Sequence, residues 1–226
     1  VAETYLQSRG LKDPCGPDLL FHSDLTDYES RCGWPGMVAI PRLVDGSPVG
    51  GIHRTFLLED GSGKAPAGKK MLGTIAEAAV RLFPMAEDGH LGVAEGIETA
   101  LAAHAIFGVA TWAALSADGL ARFNWPETTR LVTIYADAGD AGRQAAATLS
   151  DRLNMANIPN RIKAPLNGDD FNDDLIKGAV RADYEAAPVV SDTLDLLTTT
   201  PETALENAAE ALAAEAEALA SPPDLT

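Results

Sequence analysis

The chain has 226 residues, of which 46% are hydrophobic and 22% charged, as expected for a globular protein with a sizeable core. Its formal net charge of −16 excludes a protein that binds nucleic acid over its whole surface, because such domains are basic overall. No apolar run approaches the roughly 20 residues of a membrane-spanning helix, and the two cysteines predict neither a disulfide framework nor a structural zinc site. We therefore expect a cytoplasmic protein with reduced thiols and no membrane partner.

The charge is distributed unevenly along the chain. Residues 31–81 carry 7 basic and 4 acidic side chains, so this stretch is locally positive. Residues 191–226 carry 8 acidic and no basic side chains. The asymmetry leaves room for a local basic groove on an otherwise acidic protein.

The first third of the sequence predicts a short helix followed by β structure. The helix should end near Gly10, and an apolar stretch follows at residues 19–21. Two strand-like runs, GMVAIPRLV and PVGGIHRTFLLE, flank a turn at residues 45–48 and predict a hairpin. A second turn at residues 59–63 precedes a positive stretch that ends in Lys69 and Lys70.

From about His90 the pattern changes to alternating strands and helices. The runs LGVA, VATWAAL, RLVTIYA and NRIKAP read as strands, and the Ala-rich or amphipathic segments between them read as helices. This alternation predicts parallel βαβ units. A further helix is expected over residues 201–220, which are nearly all Ala, Leu and Glu.

Acidic residues gather where the predicted strands end. Glu95 follows LGVA directly, Asp137 follows RLVTIYA directly, and an Asp-rich segment that begins at Asp169 follows the NRIKAP strand after a short loop. Each residue alone could be a helix N-cap. Because the carboxyl ends of parallel strands converge, we expect the carboxylates to approach one another, and a hard divalent cation would relieve their repulsion.

The segments VAEGIETALAA, TIYADAGDAGRQAA and NGDDFNDDL resemble the three signature segments of the Toprim domain, in that order. The Toprim domain is shared by bacterial-type DNA primases, topoisomerases and some nucleases. The segment that precedes it is similar to the corresponding part of primase-like Toprim proteins of phages, plasmids and integrated elements. The resemblance covers most of residues 1–180.

The resemblance implies an α/β fold with a Toprim-like, Rossmannoid parallel sheet and flanking helices. A small, mostly β lobe would precede this sheet and a C-terminal helix would follow it. The implied domains are an N-terminal primase-like lobe at residues 1–87, a Toprim catalytic domain at 88–188, and an acidic linker with the C-terminal helix at 189–226.

The resemblance also implies a site for Mg²⁺ or Mn²⁺. Glu95 matches the Toprim glutamate, which is proposed as a metal ligand or general acid/base, and Asp137 matches the first Asp of an Asp-x-Asp motif. The second Asp of that motif would fall on Gly139, so either Asp140 replaces it or one ligand is missing. Asp170 fits the third acidic position.

The supporting and phosphate-binding residues follow from the same comparison. Glu98 lies close to a second acidic position of the first helix turn, and Asn172 and Asp173 match a helix-opening pair with a structural role. Nucleotide or nucleic acid would contact five basic side chains, unless these are only exposed surface groups. They are Arg54, Lys64, Lys69, Lys70 and Arg143.

The implied activity is metal-dependent nucleotidyl transfer, with primer synthesis on single-stranded DNA by a DNA primase of a mobile element as the first hypothesis. Its partners would be the template, nucleoside triphosphates, and a replicative helicase or another replication protein. The alternatives are a Toprim nuclease and a degenerate Toprim domain that only binds, because fold does not fix function. A topoisomerase is the weakest reading, since nothing resembles its tyrosine-bearing domain.

Overall fold

The N-terminal part of the chain forms a helix and a four-stranded antiparallel sheet in a computed structural model, which describes residues 1–11 and 16–186. The elements are α1 (Ala2–Ser8), β1 (Leu19–Asp27), β2 (Cys32–Ala39), β3 (Ile52–Leu57) and β4 (Lys64–Leu72). The strands lie side by side in sequence order, and each is antiparallel to the next. The two strands predicted around the turn at residues 45–48 are thus confirmed as the antiparallel neighbours β2 and β3.

The basic stretch after the second turn is a strand, which the sequence did not predict. β4 pairs with β3, so that Lys69 lies opposite Thr55 and Lys70 lies opposite Arg54. Successive side chains of a strand point to opposite faces of its sheet. The two adjacent lysines therefore belong to different surfaces of the protein.

The second part of the described chain is a four-stranded parallel sheet with flanking helices, which confirms the predicted α/β fold. Its elements are β5 (His90–Ala94), α2 (Ile97–Phe107), β6 (Thr111–Ala113), α3 (Ala117–Ala121), β7 (Leu131–Tyr135), α4 (Asp140–Met155), β8 (Asn160–Lys163), α5 (Phe171–Ile176) and α6 (Arg181–Ala186). The strand order is β6-β5-β7-β8, and every neighbouring pair is parallel.

Both faces of the parallel sheet are buried, because its strands alternate between two cores. One core joins Val93 and Ile134 to Leu149 of α4. The other joins Tyr135 to Phe107 of α2 and Phe171 of α5. Burial on both faces explains why these strands read as continuous apolar runs in the sequence.

The order of the strands creates a crevice at their carboxyl ends. The chain passes from β5 to β6 on one side and returns to place β7 on the other side of β5. Ligands of open α/β sheets bind at such a switch point. Glu95 and Asp137, which follow β5 and β7, stand at this edge.

The loop that leads from β8 to α5 is fixed by a buried carboxylate. Asp174 is fully buried, and its oxygens accept hydrogen bonds from the amides of Leu166 and Asn167 at 2.5 and 2.9 Å and from the Tyr184 hydroxyl at 2.5 Å. Hydrogen bonds to a buried charged acceptor are among the stronger ones in proteins. Asp174 therefore holds the start of α5, and with it Asp170, against the sheet.

No helix in the described ranges is long and apolar enough to cross a bilayer. All the described residues belong to one compact unit. The helix predicted for residues 201–220 lies outside the described residues.

Candidate active site

Three of the predicted carboxylates line one cavity of about 140 Å³ at the carboxyl ends of the parallel strands. Glu95 follows β5 directly, and Asp137 comes two residues after β7. Asp170 is the N-cap of α5, and its Oδ1 accepts a hydrogen bond from the Asp173 amide at 2.9 Å. Asp170 thus fills the structural role of a cap while it also faces the cavity.

Backbone contacts bring the turns that carry these residues together. The amide of Ala138 donates to the carbonyl of Asp169 at 2.9 Å, which ties the turn after β7 to the turn before α5. Gly142 allows the first turn of α4 to approach closely, because a Cβ there would lie 2.8 Å from the Asp137 carbonyl oxygen. A larger residue at position 142 would push the Asp137 turn away.

The proximity of the three carboxylates changes the acidity of the central one. Burial, together with repulsion from Glu95 and Asp170, raises the pKa of Asp137 from 3.8 to about 6. The Thr99 hydroxyl, which donates to Asp137 Oδ1 at 3.4 Å, acts weakly in the opposite sense. The cavity therefore concentrates negative charge that lacks full compensation near neutral pH.

The donor set has the chemistry that Mg²⁺ or Mn²⁺ prefers. Within the described ranges, no three His, Cys, Asp or Glu side chains are close enough together to hold a metal ion between them. Mg²⁺ usually binds through one or two carboxylates and keeps several of its waters, so it needs no closed protein cage. Such an ion would be held by one or two of Glu95, Asp137 and Asp170, which line the cavity.

Asp140 and Arg143 lie outside this cavity. The Asp140 side chain is 98% exposed at the start of α4, and it pairs with Arg143 one helical turn later. Arg143 also donates to the carbonyl of Ala138. The structure therefore does not bring these two predicted residues to the site.

Glu98 is the centre of a buried ion-pair cluster that forms one wall of the cavity. Glu98 is 3% exposed, and its carboxylate contacts Lys64 at 2.9 Å and Lys69 at 3.1 Å. The hydroxyl of Tyr5 in α1 donates to the same carboxylate at 2.8 Å. Glu98 thus joins α2 to the N-terminal helix and to β4.

The charges of this cluster compensate one another only in part, because one carboxylate pairs with two lysines. Burial favours the neutral form of Glu98, but Lys69 and Lys64 lower its pKa well below the ordinary value. Burial outweighs the attraction of Glu98 at Lys64 and lowers its pKa, whereas at Lys69 the attraction prevails and the pKa is raised. One carboxylate facing two lysines leaves this wall positive.

Two further residues of the N-terminal part line the cavity, although the sequence did not single them out. Arg9 follows α1, and its Nε is buried with no hydrogen-bond partner among the described residues. His53 of β3 is 5% exposed, and burial together with nearby Lys69 lowers its pKa to about 4, so it is neutral at pH 7. Strand alternation could have pointed to His53; Arg9 reaches the site only through tertiary packing.

Arg54 and Lys70 lie on the face of the antiparallel sheet away from the cavity. Arg54 is buried, donates to the Thr26 carbonyl at 2.8 Å and packs over the Phe56 ring at 5.1 Å. Lys70 pairs with Asp27 at 2.7 Å and with Glu29 at 2.6 Å. Both predicted phosphate-binding residues are therefore occupied elsewhere.

Asn172 and Asp173 lie behind the site and contact the end of α1 and the turn before α5. Asn172 is fully buried, and its side-chain amide donates to the Arg9 carbonyl at 2.7 Å. Asp173 accepts from the Asp169 amide at 3.3 Å and lies 3.9 Å from the Arg9 guanidinium. The two residues hold the end of α1 against the turn that carries Asp170.

Two protein families match the sequence. The Toprim domain matches residues 90–180, and a domain of unknown function, DUF7146, matches residues 1–82. No curated protein matches the sequence.

Solved structures of DNA primases have a similar fold. The DnaG catalytic core matches with a TM-score of 0.56 and 19% identity, over 82% of this chain and 70% of that one. The DnaG catalytic domain bound to single-stranded DNA matches with a TM-score of 0.54 and 18% identity, over 82% of this chain and 72% of that one. The primase fragment of the bacteriophage T7 primase-helicase protein matches with a TM-score of 0.51 and 14% identity, over 81% of this chain and 67% of that one.

The parallel sheet, its carboxylate-lined edge and the family match together define a protein with a Toprim domain. The chain resembles the catalytic domains of DNA primases, and at these identities the likeness concerns the fold.

The Glu98 cluster predicts a large loss of stability when the central charge is removed. Glu98→Gln leaves two partly buried lysines without a counter-charge and should lower the free energy of unfolding by about 2 kcal/mol. Tyr5→Phe removes only one neutral donor and should cost about 1 kcal/mol. Urea denaturation measures both, and equal losses would contradict a charge-based role for Glu98.

The raised pKa of Asp137 predicts a pH-dependent effect of its replacement. In the wild type, folding favours the protonated carboxyl, so stability falls as the pH rises from about 4 through 6. Asp137→Asn removes this loss in EDTA and should be more stable than the wild type above pH 6, by about 1 to 2 kcal/mol, with little gain below pH 4. Asp118→Asn, which removes a charge from an exposed ion pair, is the control. A gain in stability of Asp137→Asn that is the same at every pH would contradict the raised pKa of Asp137.

Proposed function

We propose that the chain catalyses divalent-metal-dependent nucleotidyl transfer, and that it does so as a DNA primase that makes primers on single-stranded DNA. One observation carries this proposal. A single cavity is lined by the carboxylates Glu95, Asp137 and Asp170 and by the ammonium-bearing side chains Lys64 and Lys69. Carboxylates that bind a cation and lysines that bind phosphate are the two components that phosphoryl transfer needs.

In the proposed reaction, one or two of the three carboxylates would bind the divalent cation, which when bound would neutralise charge on the triphosphate. Glu95 has two proposed roles, as a ligand of the cation or as the group that accepts a proton. The 3′ oxygen of one nucleotide attacks the α-phosphorus of the next, a P–O bond forms, and pyrophosphate leaves. The protein contributes mainly the position of the reactants and the surrounding charge.

Lys64 and Lys69 are suited to hold the phosphates of the incoming nucleotide. Their side chains are 33% and 40% exposed, so a ligand in the cavity can reach them. Glu98 fixes both ammonium groups in place but cancels only one of the two charges. Arg9 adds a third cation to the lining of the cavity.

The template and the partners follow from the same proposal. The substrates would be single-stranded DNA and nucleoside triphosphates, and a replicative helicase or another replication protein would be a further partner. One similar structure is a DnaG domain bound to single-stranded DNA, and another comes from a phage primase-helicase protein. These likenesses support the proposal at the level of fold, and the assignment to a mobile element stays a prediction.

The proposal is tested by incubating the full chain with a single-stranded template, nucleoside triphosphates and Mg²⁺ or Mn²⁺. We expect primer synthesis that falls by at least about 100-fold in Glu95→Gln and Asp137→Asn, because each removes a group that acts on the reacting phosphates. Lys69→Gln should raise the KM for nucleotide, whereas Asp140→Asn should retain activity. Asp118→Asn is the charge-matched control.

The outcomes separate the alternatives. Template degradation that is lost in the Glu95 and Asp137 variants would replace the primase with a Toprim nuclease. Absence of both activities in the wild type would indicate a degenerate Toprim domain that only binds. Equal loss in Asp140→Asn and Asp137→Asn would place Asp140 in the reaction, against its position outside the cavity.

A carboxylate introduced at position 139 tests the proposed cation site by a gain in metal affinity. Gly139 is the N-cap of α4 with φ −69° and ψ 156°, and a Cβ there would meet no atom within 4 Å. Gly139→Asp should therefore fold normally and bind Mn²⁺ more tightly, by about 10-fold. Gly139→Asn supplies the same cap without the charge. Electron paramagnetic resonance of Mn²⁺ measures both affinities; equal affinities would argue against a cation site beside position 139.

A further inference from the structure

A second cavity, of about 90 Å³, lies between α6 and the face of β7 and β8 that packs against α2. Among the described residues, none that lines it also lines the candidate active site. Its polar lining consists of Thr133, Tyr135, Arg161, Lys163, Arg181 and Glu185.

The lining of this cavity is positive, although the protein is acidic. Among the described residues that line it, Arg161, Lys163 and Arg181 stand beside one carboxylate, Glu185, in a chain with a net charge of −16. Strand register explains the arrangement, because Arg161 pairs with Thr133 and Lys163 with Tyr135 in parallel neighbours. The side chains of these four strand residues therefore point to the same face of the sheet.

Each cation is held in place by its surroundings. Arg161 Nε donates to the Thr133 hydroxyl at 3.1 Å. The Lys163 ammonium lies 5.1 Å from the centroid of the Phe107 ring. Arg181 pairs with Glu185 at 3.3 Å on an exposed turn of α6. A group that enters the cavity meets positive charges already directed towards it, so binding requires little rearrangement.

Tyr135 lines the same cavity, and its hydroxyl is a buried hydrogen-bond donor. The residue is fully buried, and the hydroxyl has no hydrogen-bond partner among the described residues. Its ring packs against Phe107 and Phe171, with centroids 5.3 and 5.2 Å away, so the side chain cannot turn out to water. A buried polar group without a partner costs about 1 to 3 kcal/mol, and a phenylalanine would fill the same space without that cost.

We infer that this cavity binds one phosphate group, held by Arg161, Arg181 and Lys163 and accepting a hydrogen bond from the Tyr135 hydroxyl. Guanidinium groups match the oxygens of phosphate in geometry and charge. The volume is far below the roughly 300 to 1,000 Å³ of sites for drug-sized ligands, so only the phosphate itself would be enclosed. The phosphate is either free inorganic phosphate or the terminal group of a nucleotide whose remainder stays outside.

The test is thermal unfolding of the full chain in EDTA with sodium phosphate or with AMP, against sodium chloride at the same ionic strength. We expect saturable stabilisation by at least one of the two ligands, because a ligand that binds the folded state raises the melting temperature. Saturation by phosphate alone identifies the free anion, and saturation by AMP alone identifies a nucleotide. No saturable stabilisation by either would overturn the inference.

Variants separate this site from general salt effects and from the candidate active site. Arg161→Gln and Tyr135→Phe should weaken the binding by at least about 10-fold. Arg130→Gln, an exposed arginine outside the cavity, should leave it unchanged. Lys69→Gln should also leave it unchanged; a loss in that variant would move the ligand to the first cavity and refute the inference.

Tyr135→Phe and Glu185→Gln should each improve one property of the protein, which the loss of a merely structural contact would not do. Tyr135→Phe should unfold at the same or a higher temperature than the wild type without ligand, since it removes an unpaired buried hydroxyl. Glu185→Gln should bind phosphate more tightly, because it removes the one opposing charge from the lining. Weaker binding in Glu185→Gln, or an unchanged affinity in Tyr135→Phe, would contradict the proposed contacts.

Discussion

The buried carboxylate of Glu98 is the interaction on which the arrangement of the candidate site depends. It accepts from Tyr5 of α1 and pairs with Lys64 and Lys69 of β4, so one side chain of α2 connects three elements that are far apart in sequence. A buried charge is stable only when its partners stay in place. The cluster therefore constrains how the N-terminal sheet meets the parallel sheet, and the cavity forms along that junction.

The junction brings together opposite charges from the two parts of the chain. The carboxylates of the cavity come from the ends of the parallel strands, whereas Arg9, Lys64 and Lys69 come from the N-terminal part. The local excess of basic residues at 31–81 thus acquires a structural meaning, because part of it faces the acidic edge of the sheet. Opposite charges placed side by side without full neutralisation suit a ligand that itself carries both signs, such as a phosphate with its cation.

The sequence predicted the parallel sheet and the position of three carboxylates because both depend on local rules. Buried parallel strands are continuous apolar runs, and residues that follow them must meet at one edge. It did not predict which of two adjacent basic residues faces the cavity, since no strand was predicted for residues 64–72. The strand selects Lys69 over Lys70, and in β3 it selects His53 over Arg54. Arg9 could not be found, because only tertiary packing places the end of α1 beside α5.

Gly139 stands where the Asp-x-Asp pattern would place a second Asp, and this difference changes the charge of the site. The pKa of Asp137 is already raised to about 6 by burial and by two neighbouring carboxylates, so a further one at position 139 would make the cation-free protein less stable. Asp140 does not restore that charge, because it points to solvent and pairs with Arg143. A cavity with fewer carboxylates repels a triphosphate less but holds its cation more weakly. In the proposed reaction, the lysines fixed by Glu98 would then carry a larger share of the attraction for phosphate, which would make the N-terminal part as necessary to this site as the parallel sheet.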